Sequence, residues 1–182
     1  MFAKTYGGTT LGVDGMIIDV EVDAAPGLPS FDIVGLPDAS VKEAKERVRT
    51  AIKNSGLGLR PEKVTINLAP ADLRKDSPGL DLPIAIGLLS AYRVVPQDAT
   101  KGAFFAAELS FEGEFRPVNG ILPMAISARE AGFTKIFVPR ENANEALLVE
   151  GLTVYAPKNL TALVNFLVGE GELPPCVPEP NR

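Results

Sequence analysis

The chain has 182 residues, enough for one domain with a sizeable core or two small ones. Its 46% hydrophobic and 23% charged residues are ordinary for a globular fold, and a net charge of -5 argues against a global basic field while leaving room for a local basic patch. Histidine is absent, which rules out Ser-His-Asp and Cys-His catalysis and His-ligated metals and leaves carboxylate chemistry, a Ser-Lys dyad or no chemistry.

In chain order, "MIIDVEVDAA" (16–25) alternates apolar residues with acids and reads as a strand. "SFDIVGL" (30–36) follows a Pro/Gly turn, and an antiparallel hairpin with the preceding strand is the simple connection. "SVKEAKERVRTAIKNSG" (40–56) is the clearest helix: Ser40 and Glu43 fit a capping box, Gly56 ends it, and Val41, Ala44, Val48, Ala51 and Ile52 form its apolar stripe. "KVTINLA" (63–69) is a strand. "LDLPIAIGLLSAYR" (80–93) is apolar all round and predicts a buried helix. "AFFAAELS" and "EFRPV" are strands joined at "FEG" (111–113). Helix 121–132, strand 135–139, helix 142–151, strand 153–157 and helix 160–168 complete an alternation typical of βαβ units. From Pro174 the chain is Pro-rich and polar, which reads as a linker. The fold class expected is α/β or α+β, with an antiparallel start.

Cys176 is the single cysteine, so it forms no internal disulfide, and one thiol makes no zinc site. The N-terminus lacks a signal-peptide core and no apolar run approaches the roughly 20 residues that span a bilayer, so the chain reads as cytoplasmic. No GxxxxGK[ST] is present, and "GLGLRP" and "GLPDAS" lack the GxGxxG spacing and read as turns. Half of the Lys and Arg residues fall between Lys42 and Lys75. Lys42, Lys45, Arg49 and Lys53 are spaced 3, 4 and 4 and so share one helix face. That face is either a solvated one, with Glu43–Arg47 and Lys42–Glu46 as ordinary i,i+4 pairs, or a stripe that tracks phosphates or contacts a subunit.

"GLPSFDIVGLPDASVKEAKERVRTAIKNSG" and "VTINLAPADLRKDSPGLDLPIAIGLL" closely resemble the N-terminal domain of the ComM/YifB family, bacterial Mg-chelatase-like AAA+ ATPases. The likeness covers about residues 1–170. The second half, from "AELSFEGEFRPVNG" onward, is also similar to the Lon proteolytic domain and to the Lon-like domain of the RadA recombination protein. The resemblance implies the ribosomal protein S5 domain 2-like fold. It also implies a ring-forming partner of a DNA motor active in branch migration during natural transformation.

The Lon loop Lys-Asp-Gly-Pro-Ser-Ala-Gly, laid on "KDSPGLD", matches Lys75, Asp76 and Pro78 but sets Gly79 where the nucleophile belongs. The dyad lysine follows Gly-Gly-Leu, and on "NGILPMAISAREAG" its place falls to Leu122. A Ser-Lys dyad needs a hydroxyl and an amine in hydrogen-bond reach, so both halves are missing. The alternative is an unusual or degenerate Lon-like serine peptidase with Ser77 as nucleophile and Lys75 as base. The spacing sets that hydroxyl two residues from the expected place, and a turn or helix-cap role explains Ser77 without chemistry.

The expectation is therefore a non-catalytic scaffold over residues 1–170, with 171–182 as a Pro-rich linker towards an AAA+ motor. Lys42, Lys45, Arg49, Lys53, Arg74 and Lys75 are the candidates for DNA or subunit contact. The resemblance implies ATP and Mg in the motor, neither in this domain, and as partners further copies in a ring, such as a hexamer, and DNA. It implies no membrane and no small-molecule substrate.

Overall fold

The structure, a computed structural model, describes residues 1–36, 38–70 and 78–178. Ser77, Arg74, Lys75 and Asp76 lie outside the described residues. The first sheet has four strands: β1 (Phe2–Leu11), β2 (Asp14–Ala25), β3 (Ser30–Val34) and β4 (Lys63–Ala69). Their order is β1-β2-β4-β3. β1–β2 and β2–β4 are antiparallel and β3–β4 is parallel.

The expected hairpin between β2 and β3 does not form. β4 lies between them in the sheet, and β3 reaches β4 through helix α1 (Asp38–Asn54). A 17-residue helix after a five-residue strand is a crossover connection, and a crossover returns the chain parallel. α1 begins two residues earlier than expected, so Ser40 lies inside its first turn rather than capping it. Its end is as read. Gly56 takes φ +68°, its N–H reaches the Lys53 carbonyl at 3.1 Å, and the Leu57 N–H reaches Ile52 at 3.2 Å, closing the last turn.

Helix α2 (Asp81–Ala91) is buried along its whole length. It packs on β1 and β2 on one side and on α1 on another. Ile84, Ile86, Leu88 and Leu89 are fully enclosed with Val20, Val22, Val48 and Ile52. Pro83 sits in the first turn, where its missing N–H leaves no bond unmade, and its carbonyl accepts the Thr5 hydroxyl at 2.7 Å.

The second sheet is parallel: β5 (Ala103–Phe105), β8 (Lys135–Phe137) and β9 (Thr153–Tyr155), in that order. Between β5 and β8 come a two-stranded ribbon, β6 (Glu108–Leu109) and β7 (Phe115–Arg116), and helix α3 (Ile121–Glu130). α4 (Ala143–Leu147) joins β8 to β9, and α5 (Leu160–Leu167) follows, capped by Asn159, whose side chain accepts the Ala162 N–H at 2.8 Å. Phe105, Phe137 and Tyr155 share one row of this sheet and stack at 5.0 Å, and Phe166 of α5 closes on them. The chain beyond α5 folds back: Leu173 packs on the core around α2, Cys176 packs on a second core made of Phe104, Ile121, Met124, Ile136 and Val154 among others, and the Cys176 N–H reaches the Val154 carbonyl at 2.7 Å.

Candidate functional site

Two places carry the residues singled out by sequence. At the first, Gly79 lies buried in the 3-10 turn Pro78–Leu80 that leads into α2, and its carbonyl accepts the Ala107 N–H at 3.1 Å. Leu122 is in the first turn of α3, packs against the second core, and donates its N–H to Glu145 at 3.3 Å. Neither position offers a hydroxyl or an amine.

Among the described residues near Gly79, Asp81 stands at the first position of α2 and is 1% exposed. Its carboxylate accepts from Arg47 Nε at 2.6 Å, from the other arm of the Arg47 guanidinium at 3.1 Å and from the Leu109 N–H at 3.1 Å. Burial pushes the Asp81 carboxyl up to about 6, against the pull of Arg47 and the Leu109 N–H; Glu108 adds to the rise. In Arg47 burial again opposes the charge, but there the Asp81 contact outweighs it and the guanidinium is held above its usual range. A small cavity of about 160 Å³ opens beside this pair, between Ser40, Glu43, Pro78, Leu80 and Glu108. With all three of these bonds made, Asp81 is a clasp between α1 and α2. Sequence reading assigned Arg47 to an i,i+4 pair with Glu43. That contact exists at 3.8 Å, but Arg47 is committed to Asp81, 34 residues away. The available signal was an acid at the head of a helix with no other charge until its end.

The second place is the outer face of α1. Lys42, Lys45, Arg49 and Lys53 line one open concavity of about 400 Å³ with Glu46, Thr50 and Leu59. Lys42, Arg49 and Lys53 are exposed and Lys45 is half-buried. Among the described residues, none of the four has a carboxylate within 4.0 Å, and the expected Lys42–Glu46 pair is not formed at that distance. Buried Val48, Ala51 and Ile52 hold the opposite face of the helix in the core, so the basic face is aimed outward as the 3, 4, 4 spacing requires. Arg60, which the sequence did not single out, joins this surface from the loop after α1.

Among the described residues no group of three or more His, Cys, Asp or Glu side chains is arranged to hold a metal. The chain contains no GxxxxGK[ST], the glycine loop that cradles nucleotide phosphates in P-loop proteins. No described helix is long and apolar enough to cross a membrane.

The mixed sheet, the parallel three-stranded sheet and the enclosed α2 define a domain of the α+β class. Within that class, the family model described as subunit ChlI of Mg-chelatase matches residues 20–142, and the chain belongs to this family. It is 40% identical over 172 residues to the competence protein ComM of Haemophilus influenzae, covering 94% of this chain and 34% of that protein. It is 42% identical over 163 residues to YifB of Escherichia coli, covering 90% of this chain and 32% of that protein. Similarity to Lon protease 2 of Bacillus subtilis is weaker, 25% over 166 residues, covering 83% of this chain and 30% of the protease. The chain thus spans about a third of the length of these curated relatives.

Proposed function

We propose that this chain is the non-catalytic accessory domain of a ComM-like AAA+ ATPase that acts on DNA, with branch migration during natural transformation as its setting. Residues 1–170 serve as a scaffold for a ring of copies, and 171–182 lead towards a motor that binds ATP and Mg. The α1 face is the surface by which the scaffold meets the DNA backbone.

The observation that carries this reading is the set of four cations on α1. They line one concavity, and among the described side chains no acid lies within 4.0 Å of them, on a helix whose other side is fixed in the core. Eleven residues separate Lys42 from Lys53, about 16 Å of helix axis at about 1.5 Å per residue. B-DNA carries one phosphate per strand every ~3.4 Å of axis, so a row of this length spans several. The chain's relation to a protein named for competence supports DNA as the anionic partner.

The test is binding of fluorescent duplex DNA by the chain and by Lys45→Glu/Arg49→Glu at low salt. The double variant is expected to lose at least tenfold in affinity. Equal affinities would leave α1 as a subunit-contacting or solvated face.

A further inference from the structure

The basic concavity on α1 does not end at Arg49. Lys45, Arg49 and Leu59 are shared with a second cavity of about 340 Å³, closed by Pro29, Ser30, Phe31, Arg60, Pro61, Glu62, Val64 and Tyr92. The two hollows form one bent groove whose second half differs in kind from the first. The α1 half is a row of cations. The second half brings Phe31, Val64, Tyr92 and two prolines together with Lys45, Arg49 and Arg60. Each of its arginines also lies over a ring: Arg49 is 5.9 Å from the Phe31 ring centre and Arg60 is 5.3 Å from that of Tyr92.

Those rings are themselves anchored. Phe31 and Tyr92 are 7% and 1% exposed, and the Tyr92 hydroxyl donates to the Arg60 carbonyl at 3.2 Å. Arg49 and Arg60 thus bring two planar guanidinium groups to the wall of this cavity, and a base is a planar group that stacks on guanidinium planes beside phosphate-binding cations. The cavity volume is near the lower end of the roughly 300–1,000 Å³ typical of small-molecule clefts, the scale of one nucleotide. A paired base cannot use it without leaving its stack. Glu62 also lines the cavity and opposes a run of phosphates through it.

We propose that the Arg49–Arg60 cavity is a pocket for one unpaired nucleotide, so that the groove engages single-stranded DNA at that end and DNA backbone of either kind along α1. The inference rests on the reading of the α1 face as a DNA surface, and it adds the preference for an unpaired strand.

The experiment measures fluorescence anisotropy of a labelled 20-nucleotide oligothymidylate and of a labelled 20-base-pair duplex at low salt. The proteins are the wild-type chain, Arg60→Glu and Lys42→Glu/Lys53→Glu, each first checked for an unchanged melting temperature. Arg60→Glu is expected to weaken the single strand about tenfold and the duplex less than twofold; the α1 double variant is expected to weaken both alike. If Arg60→Glu falls short in melting temperature, Arg60→Gln carries the same comparison, since Arg60 is exposed and the Tyr92 hydroxyl bonds to its backbone carbonyl, not to its side chain. Equal effects of the Arg60 change on the two DNAs, or none on the single strand, overturn the pocket while leaving the α1 reading intact. No loss with the α1 variant, or no binding of either DNA by the wild type, overturns both.

Discussion

Asp81 is the residue on which the join between the two helices turns. Its carboxyl has Arg47 and Glu43 facing it from α1 and Glu108 and the Leu109 N–H from β6. Its pKa is raised from the ordinary aspartate value of 3.8 to about 6. A raised folded-state value means that the folded chain binds the proton more tightly than the unfolded chain between about pH 4 and 6. Stability from this carboxyl is therefore full below about pH 4 and falls as pH rises through about 6. At about 1.4 kcal/mol per pKa unit, wild type should lose about 1 kcal/mol more than Asp81→Asn between pH 5 and pH 7.5. Urea melts of both proteins at the two pH values decide it; identical pH profiles would mean that Asp81 does not titrate in this window. A second expectation at this scale concerns catalysis. Gly79 and Leu122 supply neither nucleophile nor base, and the chain has no GxxxxGK[ST] loop, so it should hydrolyse neither casein nor ATP. A peptidase signal that Ser77→Ala abolishes would revive the alternative.

Among the elements, α2 tests the core. Every residue from Asp81 to Ala91 is buried, and Ile84 is 0% exposed. Ile84→Asp sets an unpaired charge in that core and should cost about 3 kcal/mol or more, seen as a large drop in melting temperature. A wild-type melt would contradict the burial of this helix. α2 and β4 were legible in sequence because each shows one unbroken pattern, apolar throughout in the first and strictly alternating in the second. β1 was not. "FAKTYGGTTL" mixes polar residues with a glycine pair that reads as a turn, yet it pairs residue for residue with β2. The glycines mark close approach: a Cβ at Gly7 would meet Pro83 Cγ at 2.6 Å and one at Gly8 would meet Phe104 Cζ at 2.7 Å. Such crowding is tertiary, and no local pattern reports it. The candidate site divides the same way. Helical spacing alone put Lys42, Lys45, Arg49 and Lys53 on one face, while Arg60 joins them only because its loop is tied to Tyr92, 32 residues on. The Arg47–Asp81 clasp was hidden for the same reason.

For the whole molecule, the net charge of -5 bears on the DNA-contact reading proposed above. On that reading the chain as a whole opposes approach of nucleic acid and only the local row of cations favours contact. The affinity of one copy should then be weak, and a ring of copies should multiply it by presenting several grooves at once. The distinction between a global and a local field is read from salt. Each phosphate neutralised lowers log affinity for duplex DNA by about 0.9 per decade of salt. Four contacts along α1 give a slope near -3.6 by the same relation, about a hundredfold loss over a fourfold rise in salt. Backbone contacts carry no sequence information, so unrelated duplexes should give the same slope. Lys45→Glu/Arg49→Glu removes two of the four, and the slope should fall towards -1.8 on that relation. Titration of both proteins with salt measures this directly; a slope unchanged in the variant would show that DNA, if bound, is held elsewhere on the molecule.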